Sequence, residues 1–214
     1  MNRRRWIAAV LGAAAGVVLL WSLREFAPVV HADPHAEITR LAELMQWKPG
    51  TIVADIGAGD GSYTFVAAEI VGPSGHVYAT EIDQAKLKEL RAQVDKRKLS
   101  NVTVIESAAD DTKLADDCCD AIFLRRVYHH ITHPAEFDRS LVRSLRPGAR
   151  LAIIEFPPGA NSELPEGVPK NRGGHGIPQK IMVDELTSAG LQVEKTISDW
   201  SGRDYCVIFV KRTE

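Results

Sequence analysis

The sequence predicts an α/β domain built on a mostly parallel sheet with helices on both faces. Three observations predict it. Short β-like apolar runs alternate with helical patterns from Ala36 to the C-terminus. A glycine-rich turn falls directly after the first of these runs, and acids recur at the ends of successive strands. A chain of 214 residues suffices for one such domain and is short for two.

Residues 36–46 place Ile38, Leu41, Ala42, Leu44 and Met45 on one helical stripe, which Pro49-Gly50 stops. Residues 51–56 read as a buried strand. A helix over 63–71 follows, closed by Gly72-Pro73-Ser74-Gly75. A second strand, 76–80, leads to a helix over 84–98 with Leu87, Leu90 and Val94 facing inward. Strands over 102–105, 121–124 and 151–155 come next. The last two flank a helix over 134–145, opened by Pro134 and closed by Pro147-Gly148. A helix over 183–189, capped by Gly190, precedes two final runs, 191–197 and 205–210. Ser201-Gly202-Arg203 between them signals a C-terminal hairpin that adds one antiparallel strand and completes a seven-stranded sheet.

Composition narrows the function. The chain is 45% hydrophobic and 25% charged, as ordinary globular proteins are. A formal charge of −2 argues against a nucleic-acid partner, which calls for a strongly basic face. Lys96, Arg97 and Lys98 read as a solvated helix end favoured by the dipole. Cys118, Cys119 and Cys206 have neither a disulfide framework nor a CxxC zinc spacing, so they read as small apolar residues, and no metal is expected.

The N-terminus differs in kind. An uncharged apolar run from Trp6 to Leu23 follows Arg3, Arg4 and Arg5. At about 1.5 Å per residue, roughly 18 residues reach about 27 Å, close to a ~30 Å hydrocarbon core. With Trp6 and Trp21 near its ends, residues 1–32 read as a hydrophobic membrane-anchoring helix ahead of the domain at 33–214. The alternative is a signal segment cleaved after Val30-His31-Ala32, which makes the protein an exported one. The arginines predict a cytoplasmic N-terminus and hence a domain outside the cytoplasm.

The turn after the first strand reads Asp55-Ile56-Gly57-Ala58-Gly59-Asp60-Gly61. Its glycines allow a tight bend and the close approach of a ligand. A dinucleotide fingerprint has glycines at the first, third and sixth places; counted from Gly57 the sixth is Ser62, and the last glycine falls fifth. Asp55, ending the strand, suits a cationic amino group better than a pyrophosphate.

This segment resembles motif I of the class I S-adenosylmethionine-dependent methyltransferases, and the resemblance extends over residues 36–214. It is nearest the group of small-molecule methyltransferases that includes quinone C-methyltransferases, with type 11/25-like domains. The resemblance implies a Rossmann-like, doubly wound sheet and S-adenosyl-L-methionine as cofactor. It implies that Asp55, Gly57, Gly59 and Gly61 cradle the cofactor. Glu81, at the second strand's end, would hold the ribose hydroxyls through a carboxylate that accepts two hydrogen bonds in one plane. Ile82 would pack on the adenine, and Asp83 is better read as the cap of the next helix. Asp110, or alternatively Asp111, after the third strand would accept from the adenine amino group. The helix at 36–46 would cover the other side of the pocket. An extracytoplasmic domain sits awkwardly with this cofactor, which is not normally supplied there.

After the fourth strand runs Arg125-Arg126-Val127-Tyr128-His129-His130. Arg125 could neutralise the methionine carboxylate or an acidic substrate. Tyr128, His129 and His130 could order the acceptor or take its proton. The segment 157–178 is long for a connection in a compact domain and reads as a lid or binding loop that could swing His175 over the pocket. The acceptor expected is a small molecule, slightly favoured to be lipophilic by the membrane segment. Competing readings are a membrane-tethered binding module without catalysis, and an NAD-dependent oxidoreductase, which lacks a Tyr-x-x-x-Lys pair here.

Overall fold

The computed structural model describes residues 33–160 and 162–213. The anchoring segment expected at 1–32 lies outside them. Among the described residues no helix is long and apolar enough to cross a membrane.

The elements are α1 (Pro34–Met45), β1 (Ile52–Ile56), α2 (Ser62–Val71), β2 (His76–Glu81), α3 (Gln84–Arg97), β3 (Val102–Glu106), β4 (Cys119–Arg125), α4 (Pro134–Ser144), β5 (Leu145–Glu155), α5 (Gln179–Ser188), β6 (Leu191–Ser201) and β7 (Asp204–Lys211). Short 3-10 turns cover Tyr128–His130 and Lys170–Arg172. The sheet runs β3-β2-β1-β4-β5-β7-β6, parallel except for β7, which lies antiparallel to both its neighbours. The order reverses between β1 and β4, the place where open α/β sheets bind ligands at their carboxyl ends.

Strand alternation sorts the core into two layers. Val53, Phe123, Ala152, Ile154 and Ile208 face one side with Ile38, Leu41, Phe65 and Leu90 from α1, α2 and α3. Ala54, Ile122, Leu151, Ile153 and Val207 face the other with Phe137, Leu141, Met182 and Leu186 from α4 and α5. Asp83 caps α3 by accepting from the amides of Ala85 and Lys86 at 2.9 and 3.0 Å.

Three boundaries differ from the sequence expectation by four residues or more, one being β6, which runs on to Ser201 where the sequence ends it at 197. β5 begins at Leu145, straight after α4, because Cys119 pairs with Leu145 and Ala121 with Arg150. The residues between, Pro147-Gly148 among them, bulge within the strand and do not form a separate turn. α5 begins at Gln179, four residues before the apolar pattern starts, because Pro178 sets its entry.

Candidate active site

The glycine loop folds back onto β2. The amides of Gly57 and Ala58 both donate to Thr80 O at 2.9 Å, and Gly59 N–H donates to Glu81 Oε2 at 2.9 Å. Gly57 (φ 73°) has no space for a side chain: a Cβ there would meet Val127 at 2.5 Å. Gly59 (φ 59°) is uncrowded, a Cβ there meeting nothing nearer than Gly57 O at 4.0 Å, as suits a loop that admits a ligand. Gly61 caps α2 beside Leu90 and Phe65.

Glu81 is almost fully buried, and its Oε1 accepts from the amides of Ile82 and Asp83 at 2.8 and 3.0 Å. Three of a carboxylate's roughly four acceptor positions are thus filled by backbone, leaving capacity on the ligand side. Beside it Ile82 is 54% exposed, an apolar side chain presented to solvent at a strand end. Asp55 is buried, at 3% exposed, and Thr64 Oγ1 donates to it at 2.6 Å. Burial pushes its carboxyl up to about 7, against the pull of that hydrogen bond.

Beyond β3, the two candidate acids part company. Asp111 accepts from Lys113 N at 2.7 Å and pairs with Arg143 at 3.3 Å. Burial opposes its ionisation, but those partners outweigh it and hold the carboxyl below its ordinary value. Asp110 is exposed. The geometry therefore favours Asp110 as the group able to meet a ligand.

The β4 end behaves differently from the sequence expectation. Arg125 does not stand free for an anion: its Nε donates to Glu37 at 2.9 Å, and its guanidinium lies 4.8 Å from the Tyr63 ring. Tyr128 is fully buried in the α4–α5 layer, its hydroxyl 2.9 Å from both Asp138 and Glu185. That hydroxyl has one proton for two carboxyl groups, so one acid keeps its own. Burial accordingly pushes Asp138 up to about 7. Tyr128 packs the interior and leaves the catalytic set, because the 3-10 turn points it away from its neighbours His129 and His130.

Those histidines do come together with His175. The His129 ring centroid lies 4.0 Å from that of His130 and 4.8 Å from that of His175. His129 is 2% exposed, whereas His130 and His175 reach solvent. Burial, with His129 and His175 alongside, holds the His130 imidazole below its ordinary value, which keeps it neutral near pH 7.

Four residues essential to this arrangement escaped the sequence reading. Glu155, ending β5, is fully buried and takes His129 Nδ1 at 2.9 Å. Arg172 anchors the long segment: it donates to Ile131 O at 2.6 Å and Tyr128 O at 3.1 Å, pairs with Glu185 at 3.1 Å, and is 1% exposed. His175 is therefore held over the β4 end by a stapled segment and does not hang on a free lid. Glu37 ties α1 to β4, accepting from Tyr63, Arg125 and Trp200 at 2.8, 2.9 and 2.5 Å. Asp204 takes Arg126 through two bonds of 2.9 Å. An acid at the end of a fifth strand, like those ending the first two, was the one available signal for Glu155.

Comparison with known proteins agrees with this fold. Residues 48–200 match the methyltransferase domain family. The ubiquinone/menaquinone biosynthesis C-methyltransferase UbiE of Ectopseudomonas mendocina is 35% identical over 115 residues, 53% of this chain and 45% of that protein. The enzyme of the same name from Vibrio campbellii is 33% identical over 110 residues, 51% and 42% of the two. The chain thus spans about half the length of the curated relatives it matches. A SAM-dependent methyltransferase structure from Aquifex aeolicus superimposes with a TM-score of 0.67 at 25% identity, covering 81% of this chain and 88% of that one. With that fold, the glycine loop and the acids at the ends of β1 and β2, the chain belongs to the class I S-adenosylmethionine-dependent methyltransferases.

Proposed function

We propose that the protein transfers a methyl group from S-adenosyl-L-methionine to a small acceptor bound at the ends of β4 and β5. The observation that carries the reading is the loop at Gly59, where a Cβ would meet nothing nearer than Gly57 O at 4.0 Å, with the Glu81 carboxylate on one side and the exposed Ile82 beside that. These residues fit the cofactor. Glu81 offers the acceptor position its three backbone partners leave to a ribose hydroxyl, one bond where the sequence predicts two; Ile82 offers an apolar face to a purine, and Asp55 a buried carboxyl to an ammonium group. When bound, the cofactor supplies an electrophilic methyl on a sulfonium centre.

The chain's own contribution is positional and electrostatic. Gly57 lets the loop close on Val127, so the cofactor loop and the histidine turn are neighbours. His130 and His175 face solvent at that edge, and a neutral His130 can accept a proton from an acceptor such as a phenol or carbon acid. Holding the reactants in line and excluding water are the effects expected to contribute most to the rate.

The relatives' names favour a quinone-like acceptor, and C-methylation of a quinol ring calls for the base that His130 provides. The apolar run 6–23 behind Arg3–Arg5 supports membrane attachment of the domain, which a lipophilic acceptor would suit. Incubation with methyl-labelled cofactor and a demethylated short-chain quinol tests the acceptor. Label in the quinol supports the reading, and label only in phenolic or thiol controls replaces the acceptor class. Extraction of membranes at alkaline pH tests the attachment: a chain that stays in the pellet supports it, and release into the supernatant contradicts it.

A further inference from the structure

The histidine cluster has a property that proton transfer does not require. One ring nitrogen from each of His129, His130 and His175 lies within 4.8 Å of the others. His129 is buried, and its Nδ1 sits 3.0 and 2.9 Å from the two oxygens of Glu155, which is also fully buried and already accepts from the His129 backbone N–H at 3.1 Å. Nδ1 is therefore the donating nitrogen, and in the neutral ring Nε2 carries the lone pair. That Nε2 is enclosed and, among the described residues, has no hydrogen-bond partner. A buried acceptor without a partner is costly, so its retention points to an occupant.

We propose that His129, His130 and His175 bind one divalent transition-metal ion of the zinc class, with Glu155 orienting the buried ligand from behind. A carboxylate holding the far nitrogen of a ligating imidazole fixes its tautomer and raises its basicity, the usual supporting arrangement at such centres. Three imidazoles without a thiolate suit zinc and its neighbours over magnesium or calcium, which take oxygen ligands. Zinc–nitrogen bonds of about 2.0–2.1 Å in a tetrahedron put ligand nitrogens about 3.3 Å apart. Closing from 4.8 Å falls to the two exposed rings of His130 and His175, since His129 is held by Glu155 and the segment bearing His175 by Arg172. Three protein ligands leave a fourth position open to solvent. With the ion bound the His130 lone pair is taken, so there an acceptor hydroxyl would lose its proton to solvent on reaching that open position; this use rests on the proposed methyl transfer, and the binding of the metal does not.

The test uses the full chain without a histidine tag, stripped with a chelator and titrated with zinc sulfate by calorimetry. One zinc per chain at sub-micromolar affinity is expected, with visible absorption bands of tetrahedral or five-coordinate geometry when cobalt(II) replaces it. His175→Ala, at an exposed position, should weaken zinc by at least 100-fold. Glu155→Gln should weaken it by about 10–100-fold, the range for supporting ligands. Absence of stoichiometric zinc, or unchanged affinity in His175→Ala, overturns the site. Titration of the same preparation with S-adenosylmethionine separates the two claims. Zinc binding in a chain that ignores the cofactor supports the metal site while the methyl-transfer reading fails; cofactor binding without zinc does the reverse.

Discussion

The backbone N–H of Gly59 donates to the carboxylate of Glu81 at 2.9 Å, joining the loop after β1 to the end of β2 across 22 residues of sequence. One charged acceptor thus shapes the glycine loop and lines the space over it. Glu81→Ala should weaken S-adenosylmethionine by about 1–3 kcal/mol, the cost of lost hydrogen bonds to a charged group. That is roughly a 5- to 150-fold rise in Kd, read by calorimetry.

Gly59→Arg puts a long side chain over the uncrowded loop. Cofactor binding should be abolished while the melting transition stays cooperative. Unchanged affinity would place the cofactor elsewhere.

Asp55 gives the binding a pH dependence whose sign can be worked out. Its carboxyl is raised to about 7, so at pH 5.5 it is mostly protonated in the free protein. A cationic amino group beside it favours the ionised form, so binding expels a proton below that value. Affinity should therefore rise between pH 5.5 and 7, and Asp55→Asn should flatten the rise. A slope unchanged in the variant would remove Asp55 from the cofactor site.

Tyr128 and Asp138 make a stability prediction. Asp138, also raised to about 7, keeps its proton in the folded state when the unfolded chain has released it. Its contribution is greatest below pH 4 and is lost as pH rises from about 4 to about 7. Asp138→Asn should reduce that fall, measured as urea midpoints across the range. Tyr128→Phe should cost about 1–3 kcal/mol by leaving buried carboxyl groups short of a donor, with cofactor affinity unchanged. A loss of cofactor binding with full stability would return Tyr128 to the site.

The legible parts of this protein are those written in local patterns. The seven strands and the two-layer core follow from alternation such as Ile122-Phe123-Leu124, where the outer two face α4 and α5 and the middle one faces α1–α3. Asp55, Glu81 and the glycines stand at strand ends that the pattern locates. What escaped depends on partners distant in sequence. Nothing near Glu37 announces Arg125, 88 residues on, or Trp200, 163 residues on. Arg172 reads locally as a surface cation in a loop, yet it is buried because Tyr128, Ile131 and Glu185 surround it. Within Tyr128-His129-His130, sequence alone cannot fix which contacts each side chain makes from a single 3-10 turn, so the pattern groups Tyr128 with the histidines.

The most direct test of the central claim is calorimetric titration of the full chain with S-adenosylmethionine, with NAD in parallel. The account predicts micromolar binding of S-adenosylmethionine, weakened in Glu81→Ala, and no binding of NAD. Failure to bind S-adenosylmethionine, or a preference for NAD, would contradict it.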